Sequence, residues 1–187
     1  EDNEYTRWLK ANREDSQIIE GFRSNIPKLS LTNIFVECND KDNCPDASHV
    51  IINANMNSSA FDGNQNIISV KIASNVTKIN DSAFRDCSKL SSVIIGTGVT
   101  HIMRNAFYNC RRLKTINIPN NVEKIDMNAF ARCDSLKSIN IPAGIKIHVY
   151  AFKNTPIHEL ILENLLGDAV QGEYGFKFSK NITIHIK

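Results

Sequence analysis

No run of 18 apolar residues occurs in the 187-residue sequence, which excludes a transmembrane helix. Nor does one sign of charge dominate: 22 basic and 20 acidic residues leave a formal net charge of +2. Dedicated nucleic-acid and membrane-surface binders carry a basic excess, so neither nucleic acid nor a membrane is an expected partner of this segment. Catalytic signatures are missing as well. His158-Glu159 has Leu162 where a second zinc-binding His would stand. Gly96-Thr97-Gly98 is followed by no third glycine, and Gly-x-Ser-x-Gly does not occur. The chain is therefore read as a non-enzyme with no cofactor and no metal. It opens on Glu1 without a signal peptide, and the expectation is of a trimmed chain whose targeting segment is missing.

What is present is an ordinary globular composition, 42% hydrophobic and 22% charged. Isoleucine outnumbers leucine 25 to 10, and β-branched side chains favour strands. The 23 asparagines read as compositional background.

An internal repeat decides the architecture. Ala-Phe recurs at Ala60-Phe61, Ala83-Phe84, Ala106-Phe107, Ala129-Phe130 and Ala151-Phe152, with spacings of 23, 23, 23 and 22. Cys87, Cys110 and Cys133 follow their Phe by three residues, and Leu90, Leu113 and Leu136 by six. Val70, Val93, Ile116 and Ile139 form a further row, and Ile72, Ile95, Ile118 and Ile141 another. Their alternation marks short strands with one face inward, ended by Gly96, Pro119 and Pro142. The segment 122–130 has a roughly helical or 3₁₀ spacing. One such unit cannot bury its apolar residues alone, whereas stacked units form a continuous core.

Over residues 56 to 162 the unit resembles the 23-residue leucine-rich repeats of the BspA-like, or treponemal, type. It shares their Ala-Phe-x-x-Cys and Leu-x-x-Ile-x-Ile-Pro elements. It departs at the first and last coils, where Asn64 and Thr155 replace the cysteine. The expected fold is an α/β solenoid of about five coils, with a parallel concave sheet and non-repeat caps at both ends. Val70, Val93, Ile116, Ile139 and Leu160 should be inward neighbours in one ladder. The resemblance implies a secreted or cell-surface protein acting in adhesion or protein binding. A host or extracellular matrix protein is the implied kind of ligand.

The expected divisions are an N-terminal cap over 1–50, the solenoid over 51–162 and a C-terminal cap over 163–187. Tyr5, Trp8, Leu9, Ile18, Ile19 and Phe22 suggest short amphipathic helices, and 29–36 alternates as a strand. Ile182 to Ile186 reads as one more solenoid strand, with an edge open to self-association.

Cys87, Cys110 and Cys133 share a repeat position and read as a ladder of buried free thiols. Cys38 and Cys44 flank a polar loop that suits a disulfide in an oxidising compartment. A metal loop using Asp40, Asp42 and Asp46 is the alternative, though it lacks the Gly and terminal Glu of a calcium hand. Asn57, Asn75, Asn80 and Asn181 begin glycosylation sequons, which matter only for a secreted eukaryotic chain.

Residues between the inward ones should point out from the concave sheet. Those read as ligand-binding are Lys71, Ser92, Ile94, Thr115, Asn117, Ser138, Asn140, Glu159 and Ile161. A row of Lys78, His101, Lys124 and Lys146, with Arg111, Arg112 and Lys114 nearby in sequence, is an alternative site for an anionic glycan. Three functions follow: a protein-binding or adhesion module, a structural spacer displaying another domain, and a glycan binder.

Overall fold

The computed structural model describes residues 36–42, 44, 46–162 and 183–186. The chain divides into two compact units, Glu1–Ile34 and Phe35–Lys187, and the described residues all belong to the second. The helical segments expected near Trp8 and Phe22, most of the strand expected over 29–36, and residues 163–182 lie outside them.

The described residues form twelve short strands: β1 Val36–Glu37, β2 His49–Ile52, β3 Ser69–Ile72, β4 Lys78–Ile79, β5 Ser92–Ile95, β6 His101–Ile102, β7 Thr115–Asn117, β8 Lys124–Ile125, β9 Ser138–Ile141, β10 Lys146–Ile147, β11 Glu159–Leu162 and β12 Thr183–Ile186. They make two sheets. The large one has eight strands in the order β1-β2-β3-β5-β7-β9-β11-β12, and the small one has four in the order β10-β8-β6-β4. Every pairing is parallel, so each coil contributes the same segment to the same sheet.

The register follows the repeat. Val93 pairs with Val70 on one side and Ile116 on the other. Asn117 opposite Asn140 carries the row to Ile139, which pairs with Leu160. Along β5, Val93 and Ile95 are buried while Ile94 is exposed, the alternation a one-sided strand requires. Asparagine and serine fill the alternate positions because they face away from the core.

Between the sheets the core is a set of single-residue columns. Phe61, Phe84, Phe107, Phe130 and Phe152 stack nearly parallel, with centroids 5.2, 5.4, 5.3 and 5.4 Å apart. These spacings exceed the strand spacing of about 4.8 Å only slightly, so each ring rests offset on the next. The alanine before each Phe is buried, as are the Leu, Val and Ile rows.

The wall opposite the large sheet corrects the sequence reading. Residues 122–130 form no helix, and none occurs among the described residues. Two residues in each of the first four Ala-Phe coils, and one in the fifth, take positive φ instead. Ser59, Ser82, Asn105 and Asn128 precede the Ala-Phe pairs with φ of 57 to 59°. Gly63, Asp86, Asn109, Arg132 and Asn154 precede the Cys position with φ of 58 to 70°. A helix tolerates no such alternation. The N–H groups of Asp62 and Asn64 donate three residues back, to Ser59 and Phe61. Those of Ser59, Phe61 and Gly63 donate to the next coil, at Asp81, Ala83 and Arg85. The wall is thus a stack of tight turns whose spare donors stitch coil to coil. Asparagine, read from composition as background, tolerates the left-handed conformation better than most residues and supplies many of these turns.

Gly98 shows how closely coils approach. A Cβ there would lie 1.8 Å from the Ser74 carbonyl oxygen, so the position admits no side chain without a backbone shift.

Candidate binding surface

The outward face of the large sheet is built row by row from the register. Ser69, Ser92 and Thr115 stand side by side, as do Ser138 and Glu159. The second row runs Ile51, Lys71, Ile94, Asn117, Asn140, Ile161 and His185. The residues read as ligand-binding therefore do share one face. The side chains of Ile161 and His185 lie outside the described set, although their backbone positions are given.

Accessibility along the face is uneven. Ile94 is 50% exposed, more than any other large hydrophobic residue described. Thr115 and Asn117 beside it are exposed, and Ser92, Ser138, Asn140 and Glu159 are half-buried. Lys71 is different. It occupies its expected row, between Ile51 and Ile94, but is only 8% exposed and offers little surface. Alternation sets which face a residue occupies; it does not say how much of that face stays open. His49 Nδ1 and Ser69 Oγ share a hydrogen bond of 2.6 Å across neighbouring strands.

The basic row proves to be a second ladder. Lys78, His101, Lys124 and Lys146 pair in consecutive register in the small sheet. Lys124 Nζ donates to Asp126 Oδ2 at 2.9 Å, just past the end of β8. Asp126 is partly buried, which pushes its pKa up. Hydrogen bonds from Lys124 and from the Met127 N–H outweigh that and hold it below the ordinary value. Part of the like-charge repulsion along the row is thereby compensated.

Arg111, Arg112 and Lys114 do not join this ladder. They lead into β7, in the large sheet, whereas Lys124 lies in the small one. Their neighbours in the repeat are Lys89 and Lys137, which the sequence reading passed over. Lys89 and Arg112 both follow a Phe by five residues, and Lys114 and Lys137 by seven. That alignment was available in the sequence, but the side of the coil to which it belongs was not.

The cysteines separate into two kinds. Cys87, Cys110 and Cys133 are free and fully buried. Each Sγ–H donates to the Phe carbonyl of an earlier coil: Cys87 to Phe61 at 3.1 Å, Cys110 to Phe84 at 3.1 Å and Cys133 to Phe107 at 3.2 Å. Burial pushes the Cys87 thiol up to about 12 and the other two well above their ordinary value. At the outer coils the equivalent residues bond within their own coil instead. Asn64 Oδ1 accepts from the N–H groups of Asn66 and Ile67, and Thr155 Oγ donates to Phe152 O at 2.7 Å. Cys38 and Cys44 are joined in a disulfide with Cα atoms 6.1 Å apart, tying the end of β1 to the loop before β2.

No group of three His, Cys, Asp or Glu among the described residues is arranged to hold a metal ion. No described helix is long and apolar enough to cross a membrane. Of the sequon asparagines, Asn57 is exposed, while Asn75 and Asn80 each donate their side-chain amide to a backbone carbonyl, of Asn53 and Met56. Asn181 lies outside the described residues.

Residues 54–183 match the model of the BspA type leucine rich repeat region, in six copies. The chain belongs to the BspA-type leucine-rich repeat family. No curated protein matches it significantly. Among solved structures it is similar to a leucine-rich repeat protein of T. pallidum, at 25% identity and TM-score 0.58, over 70% of this chain and 59% of that one. A leucine-rich cell surface protein of Faecalibacterium prausnitzii matches at 29% identity and TM-score 0.57, over 62% of this chain and 32% of that one. The pneumococcal vaccine antigen PcpA shares the fold at 20% identity and TM-score 0.61, over 71% of this chain and 33% of that one. The BspA-type chain thus spans less than two thirds of the length of each of these proteins. The solenoid expected from the repeat and the family resemblance are both established.

Proposed function

We propose that this BspA-type solenoid is a non-catalytic binding module that recognises a protein partner through the outward face of its large sheet. The observation that carries this reading is Ile94, half exposed on the outward face between Lys71 and Asn117. An apolar side chain in that setting gains nothing by inward packing, and binding energy concentrates in a few central residues ringed by polar contacts. Asn117 and Asn140 extend the ring along the same row. Likeness to a described cell surface protein supports placement outside the cell, in an adhesive role towards a host or matrix protein. The Cys38–Cys44 disulfide supports an oxidising compartment.

The test is a paired substitution scored by partner binding, once melting temperature shows that both variants fold. Ile94→Asp with Asn117→Arg should abolish capture of matrix proteins, whereas Lys124→Glu with Lys146→Glu should leave it intact. The opposite pattern would move the site to the small sheet. Indifference to both would favour a spacer.

A further inference from the structure

The loops that lead into the large sheet carry a cluster of cations at the margin of its outward face, adjoining Thr115 and Ser138 but distinct from Ile94 and from the small-sheet row. Lys89, Arg112, Lys114 and Lys137 are all exposed, and none has a charged or hydrogen-bonding side-chain partner among the described residues. Arg111 adjoins them, hydrogen-bonded to Asn109 and 3.9 Å from Asp134, the one acid in this set of loops. The small sheet compares poorly, since Lys124 there is already held by Asp126.

We propose that this loop edge binds a sulfated polysaccharide. Three features select that chemistry. First, the cations fall in two pairs at equivalent positions of successive coils, Lys89 with Arg112 and Lys114 with Lys137, each pair roughly 4.8 Å apart along the solenoid, a step comparable with one sugar unit of an extended chain. Second, the next residue after Lys114 and Lys137 is a hydroxyl, Thr115 and Ser138, so charge and neutral donors adjoin as sulfate and sugar hydroxyls require. Arg112 adds a planar fork suited to tetrahedral oxyanions. Third, no aromatic side chain belongs to these loop positions. Stacking on nucleic-acid bases is therefore unsupported, as is the aromatic anchoring that an acidic protein segment would favour.

Heparin is the probe. Arg112→Gln, Lys114→Gln and Lys137→Gln together should weaken its binding at least about tenfold, as removal of several charge-assisted contacts would. Lys78→Gln, Arg104→Gln and Lys146→Gln remove the same charge elsewhere and should change it less than about twofold, within the scatter of surface charge effects. Equal losses in both triple variants, or no loss in the first, would overturn the proposal. So would undiminished binding of desulfated heparin, or equal binding of polyglutamate or DNA. Wild-type protein offers a second readout: heparin should shield Lys89, Lys114 and Lys137 from acetylation but not Lys78 and Lys146. The outcome is independent of Ile94, so it leaves the protein-binding reading to its own test.

Discussion

A cysteine in this chain is defined by its row. Cys87, Cys110 and Cys133 are fully buried, and their thiols spend their one donor on a carbonyl of an earlier coil. Thiolate chemistry is closed to them because burial disfavours the charge and bars the reagent. A thiol-reactive chromophore should find no group to react with at these positions in the native protein, and three after unfolding. Rapid native labelling at any of them would contradict the packing. Asn105 illustrates the opposite demand, for backbone freedom: its φ is 57°. Asn105→Val should cost about 1–2 kcal/mol, the penalty of left-handed backbone for a side chain with a Cβ branch, while Asn105→Gly should be nearly neutral. Chemical denaturation separates the two, and equal losses would show that the side chain rather than φ matters.

Between elements, the small sheet stands out because its outward row is cationic. Its Lys124–Asp126 contact makes a pH-dependent contribution whose sign is set by the carboxylate. Asp126 titrates lower in the folded protein than in the unfolded chain. Its contribution is therefore complete above the unfolded value of about 3.9 and is lost as pH falls through the lower folded value. Asp126→Asn should accordingly lower stability at neutral pH and flatten the acid limb of the stability curve. An unchanged acid limb, measured by urea unfolding at stepped pH, would mean that the pair is solvent-screened to insignificance. The wall of turns works differently. Its coil-to-coil bonds run from alternate N–H groups, so it behaves as a sheet edge in hydrogen bonding while lacking strand dihedrals.

At the scale of the whole molecule, stability is distributed over interfaces between like coils. Each coil contacts mainly the one before and the one after, and the Phe column passes through all five Ala-Phe units. Excising residues 115–137, one full 23-residue period, joins Lys114 to Ser138 at equivalent points of the repeat. The shortened chain should keep a cooperative, β-rich fold with a lower melting temperature. Removing a stretch out of step with the period should abolish folding, because the inward and outward faces would exchange. A folded out-of-step variant would show that register is set elsewhere.

The repeat was legible because identical units stacked in parallel leave one register: the 23-residue spacing places Val93 between Val70 and Ile116, and the structure does the same. Inward and outward faces were legible for the same reason, and so was the column of thiols. The turns were not. Apolar spacing over 122–130 matches a helix, and only stacking reveals that alternate N–H groups leave the coil, which forces residues such as Asn105 and Asn109 into positive φ. Exposure was not legible either, since alternation places Lys71 and Ile94 on one face without distinguishing the buried residue from the open one. Nor was the parting of Lys114, in the loop that leads into the large sheet, from Lys124 in the small one, ten residues apart in sequence. Periodicity determines what repeats along the axis, because each coil meets a copy of itself. Position around the coil depends on how the backbone closes, and only the tertiary structure decides that.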